Sequence, residues 1–460
     1  MTRLRRRDFL GLGATAGVAV GLRAALTGLP VSFILRGDAR AQGRNGGPRI
    51  AILASSSAGE PINVLGPGTY EREHENHFTH PRPGAIDASD LIPQTVNGMR
   101  LGVESLSQSA EISLGLERVR MARCFSALTP EMLNHLVWFN YRSGANIHPQ
   151  FKDLLTCYGQ VRGGDGRGSE QLPAVIAQET ASVLGTTTAS PLVLGSGTFV
   201  SNGSSLANYS PTKLKTLVSH VGSAMGGADN FNAMYDAFID EAYDEVRRTG
   251  TRQQLRFFDQ HAASRREAAD FGSALGQLLE GIADDSIQSQ MRCAAVIAKL
   301  RLAPVIIINA NFGGDNHQDA GLLNETNATL EMIAALDGYW RSIHDLDIAD
   351  DVVFANLDVF GRDPRSDGHG RSHYGDFVSG LMVGTHLQGG VVGGFEIDGK
   401  ARATGINSVT GAADGADINA ADTLPAYFKS IMNIVGVAPD RQAIRLPTGV
   451  AVSSLLGRPG

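Results

Sequence analysis

Two short stretches of this 460-residue chain concentrate side chains that could hold a cation or an anion. The first runs Asn309-Ala-Asn311-Phe-Gly313-Gly314-Asp315-Asn316-His317-Gln318-Asp319, so Asp315, His317 and Asp319 offer two carboxylates and an imidazole from one loop, and the paired glycines allow the tight turn that would aim them together. The second runs Asn356-Leu-Asp358-Val-Phe-Gly361-Arg362-Asp363-Pro364-Arg365 and, a few residues on, Gly370-Arg371-Ser372-His373-Tyr374-Gly375. Arg362 and Arg365 could grip an anion in bidentate fashion, or pair with Asp363 and Asp367 and shape the loop. Gly, Asp and Asn are also what turns require, so turn chemistry without a metal is the competing reading. His74, His77 and His80 are spaced to clasp a metal from a helix, but Glu71 to Pro81 is polar, closes in proline and reads as a solvated loop. His220, His261 and His344 fall on helical patterns as surface or satisfied core residues.

Each of the two stretches follows an apolar run. Val305-Ile-Ile-Ile308, Asp351-Val-Val-Phe354 and Arg49-Ile-Ala-Ile-Leu-Ala54 read as buried strands. Leu116 to Phe125 reads as another, leading into Thr129-Pro130-Glu131-Met132, where Thr129 caps and Pro130 opens a helix expected to continue through Trp138. Pro173 to Ala177 reads as a strand, Asn324 to His344 as a helix, Gly389 to Ile397 as a late strand or hairpin, and Leu424 to Val435 as a terminal helix. Apolar strands alternating with helices predict a mostly parallel sheet covered on both faces, an α/β/α sandwich in three layers. Ligands of such sheets sit beyond the carboxyl ends of the strands, which is where both stretches fall, side by side. Helical patterns at Asp229 to Arg248 and Ser264 to Leu279, with no strand signal between them, make roughly residues 205–300 a helical insertion.

Composition narrows the partners. With 42% apolar and 19% charged residues and 55 glycines, the chain is neither disordered, collagenous nor a polytopic membrane protein. Residues 1–41 carry seven arginines and two acids, which leaves the remainder with 33 basic and 45 acidic residues, a poor match to nucleic acid. Cys124, Cys157 and Cys293 allow one disulfide at most and no cysteine-rich zinc site. The opening Arg5-Arg6-Arg7-Asp8-Phe9-Leu10, the weakly apolar stretch Gly11 to Leu35 and Ala39-Arg40-Ala41 resemble a twin-arginine signal peptide, with cleavage expected after Ala41. An uncleaved anchor over Phe9 to Leu35 is the alternative, opposed by Arg23 near its middle. Residues 42–460 would then form one domain in the periplasm or at the cell surface.

Gly313-Gly314-Asp315-Asn316-His317 resembles a Gly-Gly-x-Asp-x-His segment, and Phe360-Gly361-Arg362-Asp363-Pro364-Arg365 with Gly370-x-x-His373-x-Gly375 resembles Glu-Phe-Gly-Arg-Thr-Pro-Arg and Gly-x-Asp-His-Gly. Both segments are similar to those of the twin-arginine-exported family called domain of unknown function 1501, a branch of the alkaline-phosphatase and sulfatase superfamily. The first strand at Arg49, Asn134-His135 in place of a frequent Ser-His, and the run from Gly380 to Gly394 extend the likeness. The resemblance implies an alkaline-phosphatase-like sandwich with metal at the carboxyl edge, where cations neutralise an oxyanion and activate a hydroxyl nucleophile. It implies Asp315, His317 and His373 as ligands of one divalent metal (Zn, Mn, Mg or Ca), with Asp358 beside them. It also implies Thr129, His135 and Arg362 as the catalytic positions, although Thr129 is equally explained as a cap.

The departures from the family pattern are carboxylates. The first strand ends Ser55-Ser56-Ser57-Ala58-Gly59-Glu60 without the usual Asp, Val359 replaces a Glu, and Ser372 replaces an Asp. Glu60 could substitute for the first; a second hard cation is otherwise left without charge to hold it. The reading is therefore an exported protein with a degenerate metal site, non-catalytic or weakly catalytic, serving as a scaffold or binding protein. The alternative is a metal-dependent hydrolase of phosphate or sulfate esters using Asp315, His317 and His373. Expected partners are an anionic small molecule or polymer, or a protein docking on the helical insertion, with no nucleic acid and no membrane once the signal is removed. No organic cofactor is implied.

Overall fold

Every residue of Ile-Ala-Ile-Leu-Ala-Ser-Ser at Ile50–Ser56 is buried, and burial of successive residues on opposite faces is what a central strand between two helical layers requires. In the computed structural model this strand, β1, lies near the middle of an eight-stranded sheet. The structure describes residues 47–456 except 81–93, 97–98, 102–108, 115–116, 157–169, 202, 217–243, 245–246, 252–254 and 256–277. The signal-like N-terminus, Cys157 and most of the helical patterns between 217 and 277 lie outside the described residues.

The other strands of the sheet are β2 (Leu136–Tyr141), β3 (Leu192–Leu194), β4 (Asn208–Tyr209), β5 (Val305–Asn309), β6 (Val352–Asp358), β7 (Val378–Val383) and β8 (Gly390–Val392). Their spatial order is β4-β3-β5-β1-β6-β7-β2-β8. All pairings are parallel except the two made by β7, which runs against β6 and β2. The sheet is thus mixed but mostly parallel, and β2 points the same way as β1, β5 and β6.

Helices cover both faces. On one side α2 (Ile287–Lys299) and α3 (Leu323–Asp345) pack on Ile50, Ile52, Ile306 and Ile308; on the other α1 (Leu172–Leu184) and α4 (Thr423–Ile434) pack on Ala51, Leu53, Val305 and Ile307. Fully burying one such Ile or Leu contributes about 1.5–3 kcal/mol, so the two cores hold the sheet without a disulfide. Cys124 and Cys293 are buried free thiols. Among the described residues no helix is long and apolar enough to cross a membrane.

Several sequence expectations are corrected. The helix opened by Pro130 ends at Leu133, not at Trp138 as expected, and Leu136–Tyr141 is the buried strand β2. Its Val, Trp, Phe and Tyr favour a pleated surface, and pairing with β7 and β8 overrides the helix signal from the cap. Pro173 to Ala177 is the start of α1, with proline in the first turn where it removes no helical bond. Glu117–Ala122 pairs with Ser109–Leu114 in a separate hairpin and does not join the main sheet. The ends of the 205–300 stretch belong to the sandwich, since β4 pairs in the sheet and α2 is buried against it. Gly389 to Ile397 divides into β8 and the strand Phe395–Asp398, which pairs with Lys400–Ala403.

Candidate metal centre

The carboxyl ends of β1, β2, β5 and β6 share one rim of the sheet, and the loops leaving them build the site. The loop after β1 turns at Gly59, whose φ of +76° suits glycine, and a Cβ there would stand 2.0 Å from Phe360 Cε2. Glu60, next in sequence, is 2% exposed. Its Oε2 accepts the backbone N–H groups of Phe312 (2.5 Å) and Gly314 (3.0 Å), and its Oε1 accepts the Ser56 hydroxyl. Burial pushes the Glu60 carboxyl above its ordinary range, while these donors and Arg362 pull the other way. Glu60 is accordingly a brace behind the loop after β5, committed to backbone amides.

That loop delivers Asp315 and His317. Asp319, also a sequence candidate, is turned to α3, where it accepts the amides of Leu323 (2.8 Å), Asn324 (3.2 Å) and Glu325 (3.0 Å). It caps the helix that the sequence placed behind Asn324.

His373 arrives on a two-residue strand, His373–Tyr374, paired antiparallel with Gly361–Arg362. The turn between them is fixed by Arg371, which forms a bidentate pair with Glu325 of α3 (Nε to Oε2 2.6 Å, Nη2 to Oε1 3.0 Å), both side chains having no exposed surface. Arg371 also donates to the carbonyls of Asp363 (3.2 Å), Pro364 (2.9 Å) and Thr79 (2.5 Å). Glu325 takes a further bond from Asn316 Nδ2 at 2.8 Å, so one buried ion pair ties both rim loops together. His373 stacks on Phe360 with ring centroids 4.2 Å apart.

A fourth side chain, His148, enters from the loop after β2. Gly375 is pressed against Ala145, so that a Cβ would meet its carbonyl oxygen at 2.3 Å, and Gly375 O accepts the amides of Ser143 and Gly144. His148, Asp315, His317 and His373 form a group able to hold a metal ion, each giving one ligand atom and all four atoms within 4.8 Å of one another. His148 Nε2 lies 3.5 Å from Asp315 Oδ2, His317 Nε2 3.3 Å from Asp315 Oδ1, and the Nε2 atoms of His317 and His373 approach to 2.5 Å. At that distance one of the two nitrogens carries a proton donated to the other, and two ligands of one metal would stand farther apart.

The far sides of the ligands are tethered. His148 Nδ1 meets Ser57 O at 2.8 Å and His373 Nδ1 meets Asn146 O at 2.6 Å; a carbonyl can only accept, so both Nδ1 atoms carry the proton and both Nε2 lone pairs face the group. Asp315 Oδ1 is held at 3.3 Å by Arg362 Nη2. Burial lowers the His373 pKa, as do the charges of Arg362 and the two neighbouring imidazoles, against the opposite pull of Asn146 O. The side chains of Asp315 (53%), His317 (41%) and His148 (34%) are partly exposed, so solvent reaches the group.

Of the sequence candidates, Asp315, His317 and His373 converge as expected. Asp358 does not join them: it is buried at the end of β6 and accepts from Asn356 Nδ2 at 2.5 Å. Burial, with the Glu60 charge nearby, raises its carboxyl well above the ordinary value. Thr129 and His135 precede β2 and so lie at the opposite rim, roughly 20 Å away across the six residues of that strand. Thr129 Oγ1 caps its short helix by accepting Met132 N–H (3.1 Å), and His135 Nδ1 bonds Leu387 O at 2.8 Å.

Arg362 is at the site, but its side chain has no exposed surface and is spent on Ala58 O, Gly59 O (2.8 Å), Arg371 O (3.2 Å) and Asp315. It orients a ligand and offers no free face to an anion. The Arg365 guanidinium bonds Asn76 O and His77 Nδ1, while its backbone N–H donates to Asp363 Oδ1 at 3.0 Å. His74 bonds Gly68 O, His80 Nε2 bonds Thr69 O and His77 meets Arg365, so the three histidines between 74 and 80 have separate partners and do not converge on one ion.

The residue missed was His148. Once Leu136–Tyr141 is read as a strand, the rule that found the other candidates also selects the loop after it, and His148 is the side chain there that could bind a metal. What fold and site define is an α/β protein with three histidines and one aspartate at the carboxyl rim of a mostly parallel sheet. Comparison with protein-family models, curated proteins and solved structures returns no match to this chain.

Proposed function

We propose that this is an exported protein of alkaline-phosphatase-like architecture that holds one divalent cation at the sheet rim and serves as a scaffold or binding protein, not as an efficient hydrolase. The observation that carries the reading is the convergence of His148, Asp315, His317 and His373 with two Nδ1 atoms pinned to carbonyls. Three imidazoles and one carboxylate suit Zn2+ or a similar first-row cation better than Mg2+ or Ca2+, which prefer oxygen shells. Such an ion would supply charge and cross-linking at the rim, with the four side chains as its ligands.

Three features support a weak or absent hydrolase. Glu60 is committed to Phe312 and Gly314, Asp358 is buried beside Asn356, and Thr129 lies at the other rim. Export through the twin-arginine route to the periplasm or cell surface rests on the first 41 residues. An anionic small molecule or polymer, or a protein docking on the helical insertion, is the partner this reading carries.

Metal analysis of the mature protein tests it, with about one equivalent of zinc expected and His373→Ala expected to lose it while keeping the wild-type circular dichroism. Mature protein without bound metal after growth in metal-replete medium would refute it. The exposure of Asp315 and His317 favours one second reading, hydrolysis of phosphate or sulfate esters by the loaded site. Turnover of an aryl phosphate or sulfate that vanishes in His373→Ala would establish that reading instead.

A further inference from the structure

Ligands about 2.0–2.1 Å from a tetrahedral zinc stand roughly 3.3 Å from one another, and catalytic zinc sites keep one of the four positions for water. Here Asp315 Oδ1 to His317 Nε2 is 3.3 Å, Asp315 Oδ2 to His148 Nε2 is 3.5 Å, and one ligand atom from each of the four residues lies within 4.8 Å of the others, so four protein donors surround one point without yet forming a regular tetrahedron. The 2.5 Å between His317 and His373 must open by about 0.8 Å and the wider separations must close; the His317 side chain, 41% exposed, is free to move toward solvent.

The fourth donor is the one that the two motif-bearing loops do not supply. His148 comes from a loop joined to the rim by bonds that exist without any ion: His148 Nδ1 to Ser57 O, His373 Nδ1 to Asn146 O, and the amides of Ser143 and Gly144 to Gly375 O. Three of the four ligands thus have an outer partner (Ser57 O, Asn146 O and Arg362), which is the support that fixes ligands in a rigid site.

Resting on the metal-binding reading above, we propose that His148 is the fourth protein ligand, so that the sphere is closed and the cation clamps the 142–149 loop to the loops carrying Asp315 and His373. Metal at this rim is a structural cross-link between segments far apart in sequence. It presents no vacant position to a substrate or anion.

Cobalt(II) substitution of the full mature protein tests this, because four-coordinate cobalt absorbs visible light far more strongly than five- or six-coordinate cobalt. The expected result is an intense four-coordinate band that azide and phosphate leave unchanged, zinc X-ray absorption that fits three imidazoles, and loss of at least about 100-fold in zinc affinity in His148→Ala. A weak band, a band that shifts with either anion, or a two-imidazole fit for wild type would overturn the clamp while leaving metal binding intact. Those wild-type measurements stand even if the variant fails to fold. Absence of cobalt uptake by the wild type would sink metal binding itself, and the clamp with it.

Discussion

Replacing Glu325 with alanine should be among the most damaging single changes in this protein. The carboxylate accepts Arg371 Nε at 2.6 Å, Arg371 Nη2 at 3.0 Å and Asn316 Nδ2 at 2.8 Å, in a setting with no exposed surface. Without it the Arg371 guanidinium, which has no exposed surface, keeps carbonyl acceptors from Asp363, Pro364 and Thr79 but loses its carboxylate partner. Removing one partner of a buried pair costs about 3–5 kcal/mol. At about 2.1 cal/mol/K per residue over some 400 residues, the unfolding entropy is near 0.84 kcal/mol/K, so Tm should fall by roughly 4–6 °C.

Both rim loops lose their tie at the same time, because Asn316 adjoins two ligands and Arg371 lies two residues before a third. Zinc affinity should therefore drop by about 10–100-fold, the usual effect of losing an outer partner. Calorimetry with and without zinc, and a competitive chelator titration, read the two quantities. Glu325→Leu combined with Arg371→Met should recover most of the stability, since a packed apolar pair replaces the ions without leaving a bare charge. A Glu325→Ala protein that melts with wild type and binds zinc equally well would show that the ion pair does not organise the rim.

Three further substitutions probe other parts of the argument. Gly59→Ala places a methyl group 2.0 Å from Phe360 Cε2 at φ +76°, so it should cost about 2–4 kcal/mol in denaturant unfolding and weaken zinc binding by displacing the ring under His373; a wild-type midpoint would refute this. Asp358 has a carboxyl pKa raised by burial, so the stability it contributes is fully present below the unfolded carboxylate value and is lost as pH rises through the folded one. Asp358→Asn should accordingly raise Tm relative to wild type at neutral pH and converge with it near pH 4, and a uniform loss at all pH values would contradict the assignment. Thr129→Ala should cost about 1 kcal/mol through the lost cap and leave zinc affinity untouched, whereas a change in affinity would return Thr129 to the site.

The legible parts of the sequence were those where local pattern and tertiary environment agree. Val305 to Ile308 is apolar throughout because both faces of β5 are covered, and the Gly-Gly-Asp-x-His loop after it is turn and ligand at once. Leu136–Tyr141 was hidden because a good cap, a proline and a four-residue helix stand immediately before it, and the pairing that makes it a strand comes from Val378–Val383, more than two hundred residues later. The same mistake concealed His148. Asp319 reads as a plausible ligand from its loop and Glu60 as a stand-in for the Asp of the family pattern, and only their backbone partners, invisible in sequence, assign one to capping a helix and the other to bracing a loop.

The reversed course of β7 sets when the rim can form during synthesis. Because β2 reaches its place through pairing with β7, the loop bearing His148 has no seat until the chain has been made beyond Val383, although His148 itself was translated long before. A nascent polypeptide halted shortly before that point already holds His148, Asp315 and His317 but lacks the platform on which they meet. Capture of an ion at this rim would therefore mark a chain whose sheet is finished.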